Sequence, residues 1–434
     1  MSVFLTDALS RTLLLMRDSL GADVTNAQLL SALTDTSVVL AADADAISTH
    51  SGQSAFVTAA LLMARSGHRV YLMSPETTLI GDQPPLAGTR LVDGLLQVGR
   101  DLLPTIAFTA GPPAGRVDLV VRFGAANPQV EAGQTISMNA ADWSATLGPG
   151  DNAKAWQADD WPFGGLAAAA LAAGEAFKTS MRRLREHARA PAAFDVAHAP
   201  ANPVCVELAP PCTPRVVSLP DTDLISGGAL TNAALYALLR LPGATGRMRV
   251  FDHDDSALSN LNRNMLLVRS RLEIKKVDDL ARFSGRLQIT PVARRFDKAL
   301  AASERLPSTV LVGVDDIPSR WLVQKLVPEW LGVGATAGFM AMSSFHTPDL
   351  PCAGCLHPIA SEAEGPIPTA AFVSFWGGLL LSAQFLRHLA GEAIEQQQMV
   401  AFPLRAEGNY SHAILADREC PVDCEAARKR KSAA

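Results

Sequence analysis

Cysteine is scarce in this chain of 434 residues: there are six, too few for a disulfide scaffold of that size. Four of them fall in two close pairs, Cys352/Cys355 and Cys420/Cys424, so metal binding is the first reading of those four. An excess of basic charge is also missing. The 38 Lys and Arg stand against 43 Asp and Glu, a net charge of −5, which gives no global attraction to a phosphate backbone. The basic cluster Arg428 to Lys431 reads as a solvated terminus. No apolar run is long and uninterrupted enough to span a bilayer, and Asp7, Arg11, Arg17 and Asp18 break up the apolar residues at the N-terminus where a signal peptide would have a continuous core. The sequence therefore predicts a cytoplasmic protein with neither nucleic acid nor membrane as its partner.

Apolar residues, by contrast, make up 48% of the chain, enough for substantial cores in two or three domains. Their order repeats. Ser37 to Ala42 reads as a buried strand, Gln53 to Arg65 as a helix with an apolar stripe, and Arg69 to Met73 as a second strand. The same order returns at Asp223 to Ser226, Ala229 to Leu241 and Arg247 to Asp252, a second βαβ unit of the kind that builds a parallel sheet. Val117 to Arg122 matches Thr309 to Val314 as a further buried strand. Each half then reaches aromatic residues, Gly-Gly and an apolar helix, at Trp161-Pro-Phe-Gly-Gly-Leu and at Phe375-Trp-Gly-Gly-Leu with Leu380 to Leu389. Between the halves, Arg189 to Pro220 holds seven prolines, which suits a linker. The expected division is 1–190, a linker over 191–212, and 213–434.

The chemistry lies in the second half. The run Val250-Phe-Asp-His-Asp-Asp-Ser-Ala-Leu-Ser-Asn-Leu-Asn-Arg-Asn264 begins as a strand ending in Asp252, the way Rossmann-like sites set a carboxylate against ribose hydroxyls. Ser259-Asn260-Leu261-Asn262-Arg263 follows, and Lys276 comes thirteen residues after Arg263. This pattern, Asp252-x-Asp254, then Ser-Asn-Leu-x-Arg, then a spaced Lys, resembles the ThiF/MoeB and ubiquitin-activating family, with Asn264 where that family has Gln. The resemblance implies that Asp252 holds ribose and that Asn260, Arg263 and Lys276 meet the triphosphate of ATP. It also places Asp315, in Val312-Gly-Val-Asp-Asp-Ile-Pro-Ser-Arg320, on the Mg²⁺ of MgATP, a hard cation that takes carboxylate oxygens. The glycine loop departs from the family: Ser226-Gly-Gly-Ala-Leu-Thr231 keeps only Gly228 in register, so Ser226 and Thr231 are expected to make a tight turn without glycine's freedom at positive φ. Backbone N–H groups at the helix start can still meet phosphate.

In the first half the matching strand ends in Met73-Ser74 with no acidic residue, no Asn-Leu-x-Arg run follows, and Val120-Val-Arg-Phe-Gly124 has no carboxylate, so this half reads as an inactive copy. Leu9-Ser-Arg-Thr-Leu-Leu-Leu15 resembles the N-terminal helix on which the family carries an arginine into the partner's ATP site. Arg11 fits that role, and an ordinary surface arginine on an amphipathic helix remains the other reading. Cys352, Cys355, Cys420 and Cys424 stand where the family has two Cys-x-x-Cys pairs and would hold a structural Zn²⁺, with His357 as a possible substitute ligand and free buried cysteines as the alternative.

The expectation is thus an α/β pseudo-dimer of two ThiF-like Rossmann-type halves with one ATP site and one zinc site. Its activity would be adenylation of the C-terminal carboxylate of a ubiquitin-like protein for a conjugating-enzyme-like acceptor, with bacterial antiphage operons as one home. Alternatives are a sulfur-carrier adenylyltransferase, a peptide-adenylating enzyme, and a non-enzymatic scaffold that binds a precursor peptide. The segment Leu356 to Trp376, where ubiquitin-activating enzymes place the acceptor cysteine, has none. Only Cys205 and Cys212 are left for a thioester, so direct transfer to a partner's thiol is expected.

Overall fold

The computed structural model describes residues 3–20, 24–185, 203–360, 365–394, 396–405 and 409–432. Fifteen strands among these residues form two sheets. The first holds β1 (Ser37–Ala42), β2 (Arg69–Met73), β3 (Phe108–Ala110), β4 (Val117–Phe123), β5 (Ala132–Ala140), β6 (Ser144–Pro149) and β7 (Val204–Glu207), in the order β3-β2-β1-β4-β5-β6-β7. The second holds β8 (Thr222–Ile225), β9 (Gly246–Phe251), β10 (Leu287–Val292), β11 (Thr309–Val312), β12 (Trp330–Ala337), β13 (Met340–His346), β14 (Gln398–Ala401) and β15 (Tyr410–His412), in the order β10-β9-β8-β11-β12-β13-β14-β15. In each sheet the first five strands of that order are parallel and the rest antiparallel. The internal repeat therefore extends to topology. The two sheets share a strand order that reverses direction beside the first strand, which opens a crevice at its carboxyl end.

Of the Pro-rich segment, residues 189–202 lie outside the described residues, and the described part carries more order than its composition predicts. Val204–Glu207 closes the first sheet by pairing antiparallel with β6, Ala145 opposite Val206. Its alternation of buried Val204 and Val206 with exposed Cys205 and Glu207 is a strand signal that the surrounding prolines obscure.

Four apolar helices fill the space between the sheets: His50–Arg65, Phe163–Arg183, Ala229–Leu238 and Ala371–Leu389. Every residue of His50–Arg65 is buried, so it is a core element with no solvated face. The helix begins at His50 because Thr49 caps it, its hydroxyl accepting from the Gly52 N–H at 3.0 Å. The Gly-Gly pairs lie inside their helices, which start ahead of them at Phe163 and Ala371. Close packing explains their placement: a Cβ on Gly164 would lie 1.9 Å from the Ala141 carbonyl oxygen, and one on Gly378 would lie 2.4 Å from that of Leu230. Aromatic and polar contacts join the halves. Phe177 lies 5.2 Å from Phe372 between ring centroids, and the Thr58 hydroxyl sits 2.8 Å from the Tyr236 phenol. One continuous apolar core runs through both halves.

Candidate active site

The site opens at the carboxyl ends of β8, β9 and β11. A cavity of about 650 Å³ there is lined by Arg11, Gly228, Asp252, Asp254, Asn260, Arg263, Lys276 and Asp315, among others. Every nucleotide-site residue expected from the sequence is in that set, although Arg11 comes from the N-terminal helix Ser10–Leu20, far from the others along the chain.

The turn after β8 shows how the chain manages with one in-register glycine. Ser226 takes a φ of 99°, a conformation that costs a non-glycine residue about 1–2 kcal/mol. Neighbours fix it there. Its N–H donates to the Phe251 carbonyl at 2.9 Å, its hydroxyl accepts from the Gly228 N–H at 2.9 Å, and its carbonyl accepts from the Thr231 hydroxyl at 2.5 Å. Thr231, expected in the strained turn, lies within the helix Ala229–Leu238 and carries no strain. Its hydroxyl instead fastens the turn that leads into the helix.

Asp252, 8% exposed, accepts from the Gly227 N–H at 2.8 Å with one oxygen and from the Asp254 N–H at 2.9 Å with the other. It thus braces the loop that a nucleotide would approach. Lys276 pairs with Asp254 at 2.6 Å and lies 3.7 Å from Asp252. Burial raises the Asp254 carboxyl, but the hydrogen bond and charge of Lys276 outweigh it and hold the group below its ordinary range. Asn260 spends its side-chain oxygen on the Ala257 N–H at 2.9 Å, which shapes the turn before Arg263.

Arg263 is nearly enclosed. Burial pulls its guanidinium down to about 10, the like charge of Arg11 adds to that, and Asp315 opposes it. Arg11 is likewise lowered by burial and supported by Asp315. Both stay protonated near neutrality, so Arg11, Arg263 and Lys276 share the cavity with an exposed Asp315 whose carboxylate has no hydrogen bond among the described residues, and Arg295, Asp255 and Asp316 also line it. Next to it, Asp316 caps the helix Ile317–Lys325, while Arg320 donates to the Val314 carbonyl at 3.2 and 3.0 Å and so fixes the backbone before Asp315.

Two polar residues of the motif were given no role from the sequence. Asn262 donates to the Thr12 hydroxyl at 3.0 Å, which ties the Arg11 helix to the Asn260–Arg263 turn. Asn264, 2% exposed, leaves its side-chain oxygen without a partner at the cavity. It stands where the family that the motif resembles has Gln, and keeps an amide there.

The four clustered cysteines meet as one group. Cys352 Sγ lies 3.3 Å from Cys420 Sγ and 3.9 Å from Cys355 Sγ, and Cys355 Sγ lies 3.5 Å from Cys424 Sγ. A tetrahedron with Zn–S bonds of about 2.3 Å has edges of about 3.8 Å, so the group is compatible with zinc. His357 faces away from it, toward Arg320 at 3.2 Å. Cys205 and Cys212 are exposed, and neither lines the cavity.

The architecture is that of two Rossmann-like α/β halves with a polar crevice in the second that carries charges of both signs. Parts of the chain are similar to known proteins. Residues 37–194 match the family model described as the BilD N-terminal domain. An uncharacterized protein, y4jF of Sinorhizobium fredii, is 26% identical over 299 residues, covering 68% of this chain and 54% of its own length. The chain thus spans about half the length of that relative. Among solved structures, E. coli MccB with MccA-N7isoASN has 14% identity and a TM-score of 0.39 over 48% of this chain and 66% of its own. PaaA has 13% identity and a TM-score of 0.37 over 45% and 64%. Among the described residues, no helix is long and apolar enough to cross a membrane.

Proposed function

We propose that the chain is an ATP-dependent adenylyltransferase that activates the C-terminal carboxylate of a ubiquitin-like protein. The reading rests on one observation: Arg11, Asp252, Asn260, Arg263, Lys276 and Asp315, spread over some 300 positions of sequence, line a single cavity at the switch point of the second sheet. In this reading a carboxylate oxygen attacks the α-phosphorus, the bond to the bridging oxygen breaks, pyrophosphate leaves and an acyl adenylate remains. The substrates are anionic throughout, so the protein's work is positioning and cationic stabilisation by Arg263, Lys276 and Arg11. Asp252 would hold the ribose, and the Gly228 N–H at the helix start would face phosphate. Asp315, an exposed carboxylate without a hydrogen bond among the described residues, suits a hard cation. It would hold Mg²⁺, which neutralises phosphate charge when bound.

Asp315→Ala tests this. It removes a surface carboxylate and no core volume, so ATP–pyrophosphate exchange dependent on the ubiquitin-like protein should disappear while the unfolding midpoint stays. Exchange near the wild-type rate would remove Asp315 from the metal, and a wild type without exchange would remove the function. The acyl adenylate would pass directly to the thiol of a conjugating-enzyme-like acceptor, since no cysteine lines the cavity. That same observation favours a second reading, adenylation of a short peptide, which needs no thiol. Exchange supported as well by a short C-terminal peptide as by a folded ubiquitin-like protein would select it.

A further inference from the structure

Two fully buried arginines cross the seam between the halves at equivalent places. Arg65 ends the helix His50–Arg65, and Arg240 follows the matching helix Ala229–Leu238. They are 1% and 0% exposed. Arg240 reaches from the second half into the first, to the loop after β2, where Nη2 donates to the Pro84 carbonyl at 2.5 Å. Its remaining side-chain contacts stay at home, Nη1 donating to the Tyr236 carbonyl at 3.1 Å and the guanidinium stacking 3.4 Å over the Tyr236 ring, while its backbone carbonyl lies 2.7 Å from His50 Nε2 of the first half.

Arg65 makes the reciprocal reach, from the first half into the loop after β9, with a much fuller grip. Nη1 donates to the Leu261 carbonyl at 2.6 Å, and Nη2 to those of Met265 at 2.8 Å and Leu267 at 2.7 Å. No other donor among the described residues reaches these three carbonyls, so Arg65 alone relieves the cost of burying them. The carbonyls sit on both sides of Arg263, and Leu261 directly follows Asn260. Within the turn itself, the Arg263 and Asn264 N–H groups bond back to the Asn260 carbonyl at 3.1 and 2.9 Å. A rigid planar fork thus holds the backbone that aims Asn260 and Arg263 into the cavity.

We infer that Arg65 is a positioning residue for the nucleotide: the half without a site of its own holds the triphosphate-binding turn of the other half in register. This rests on the adenylation reading, through the roles given to Asn260 and Arg263. It separates the two seam arginines by function, because Pro84 lies in a loop to which no nucleotide role is given.

The matched pair supplies its own control. MgATP alone would be titrated calorimetrically into the full chain and into Arg65→Met, Arg65→Lys, Arg240→Met and Arg240→Lys, with unfolding midpoints recorded alongside. Both Met variants lose a buried cross-seam guanidinium and should lose stability. Only Arg65→Met should also weaken MgATP binding, on the order of 10- to 100-fold, the loss seen when a residue that orients a ligand-binding group is removed. Arg65→Lys, whose ammonium can still donate to these carbonyls, should recover part of that affinity, while the Arg240 variants should stay within about twofold of wild type, as expected for sites that do not couple. If Arg65→Met does not fold, Arg65→Lys against Arg240→Lys gives the same comparison. Equal weakening in the two series, or wild-type affinity in the Arg65 variants, would overturn the inference. A wild type that binds no MgATP would instead overturn the adenylation reading.

Discussion

Arg11 offers the sharpest separation between a catalytic and an incidental residue. It lies on the helix Ser10–Leu20 and lines the cavity beside Arg263 and Asp315. Arg11→Ala leaves the local structure its supports. Alanine is the best helix former, the hydrogen bond from the Thr369 N–H to the residue 11 carbonyl at 3.2 Å involves only backbone, and Thr12 keeps its bond from Asn262. The removed side chain is partly exposed and, among the described residues, makes no hydrogen bond of its own. Stability should therefore change by no more than about 0.5 kcal/mol, and the loss of one like charge beside Arg263 works in the stabilising direction. If Arg11 meets the phosphates as their charge redistributes, removing it should cost about 3–4 kcal/mol of transition-state stabilisation, or roughly 100- to 1000-fold in kcat/KM. The assay is ATP–pyrophosphate exchange driven by the ubiquitin-like substrate, run beside thermal unfolding of the same samples. Arg11→Lys, keeping a charge without the planar fork, should fall between. An Arg11→Ala enzyme with the wild-type rate would return Arg11 to the status of a surface arginine on an amphipathic helix.

Two further outcomes follow from the same coordinates. Elemental analysis should find one zinc per chain, lost in Cys420→Ser together with the packing of Ile414 and Val422 around the four thiols; metal-free protein with an unchanged unfolding midpoint would refute the site. Acid should destabilise the fold through His68, which burial pushes down to about 4 against weaker support from the Leu33 carbonyl and Asp118. The folded protein keeps this ring neutral while the unfolded chain takes up a proton below about 6.5, so stability is full above 6.5 and falls by up to about 3 kcal/mol as the pH drops toward 4. Denaturant midpoints across that window should flatten in His68→Gln, and an unchanged slope would show that His68 contributes nothing to it.

Strand boundaries were legible where a buried run ended abruptly. Ser37–Ala42 and Arg69–Met73 stand as expected because apolar residues stop at Asp43 and Ser74. The Gly-Gly pairs misled because glycine is usually a breaker in sequence terms, whereas Gly164 and Gly378 sit where a carbonyl oxygen leaves no room for a side chain. The nucleotide-site residues could be proposed because their spacing is local, within Asp252 to Lys276, or repeated at strand ends, as with Asp315. Beyond Arg11 and the two cysteine pairs, which the family resemblance brought together, contacts joining distant segments could not be read. Asn262 and Thr12 are 250 residues apart, and Arg65 and Leu261 are 196 apart. Arg65 ends an apolar helix, where sequence alone suggests a basic residue answering the helix dipole. Only the docking of the halves turns it toward three carbonyls of the other one.

The two halves share a strand order but differ at the switch point. Its counterpart of the β8 turn is Asp43, directly after β1. One Asp43 oxygen accepts from the Ala46 N–H at 2.7 Å, and the other from the Ala125 N–H at 2.6 Å, past the end of β4. The donors at this switch point are therefore already satisfied by the chain's own carboxylate, and an incoming phosphate would meet a negative charge in place of open N–H groups. In the second half the corresponding carboxylate, Asp252, sits one strand away on β9 and braces Gly227 from the side, which leaves the start of the helix Ala229–Leu238 facing the cavity. The two halves thus differ in which strand end carries the acid, while their strand order stays the same. The first half also covers the apolar faces of Ala229–Leu238 and Ala371–Leu389, brings Arg11 to the cavity rim, and grips through Arg65 the turn that carries Asn260 and Arg263.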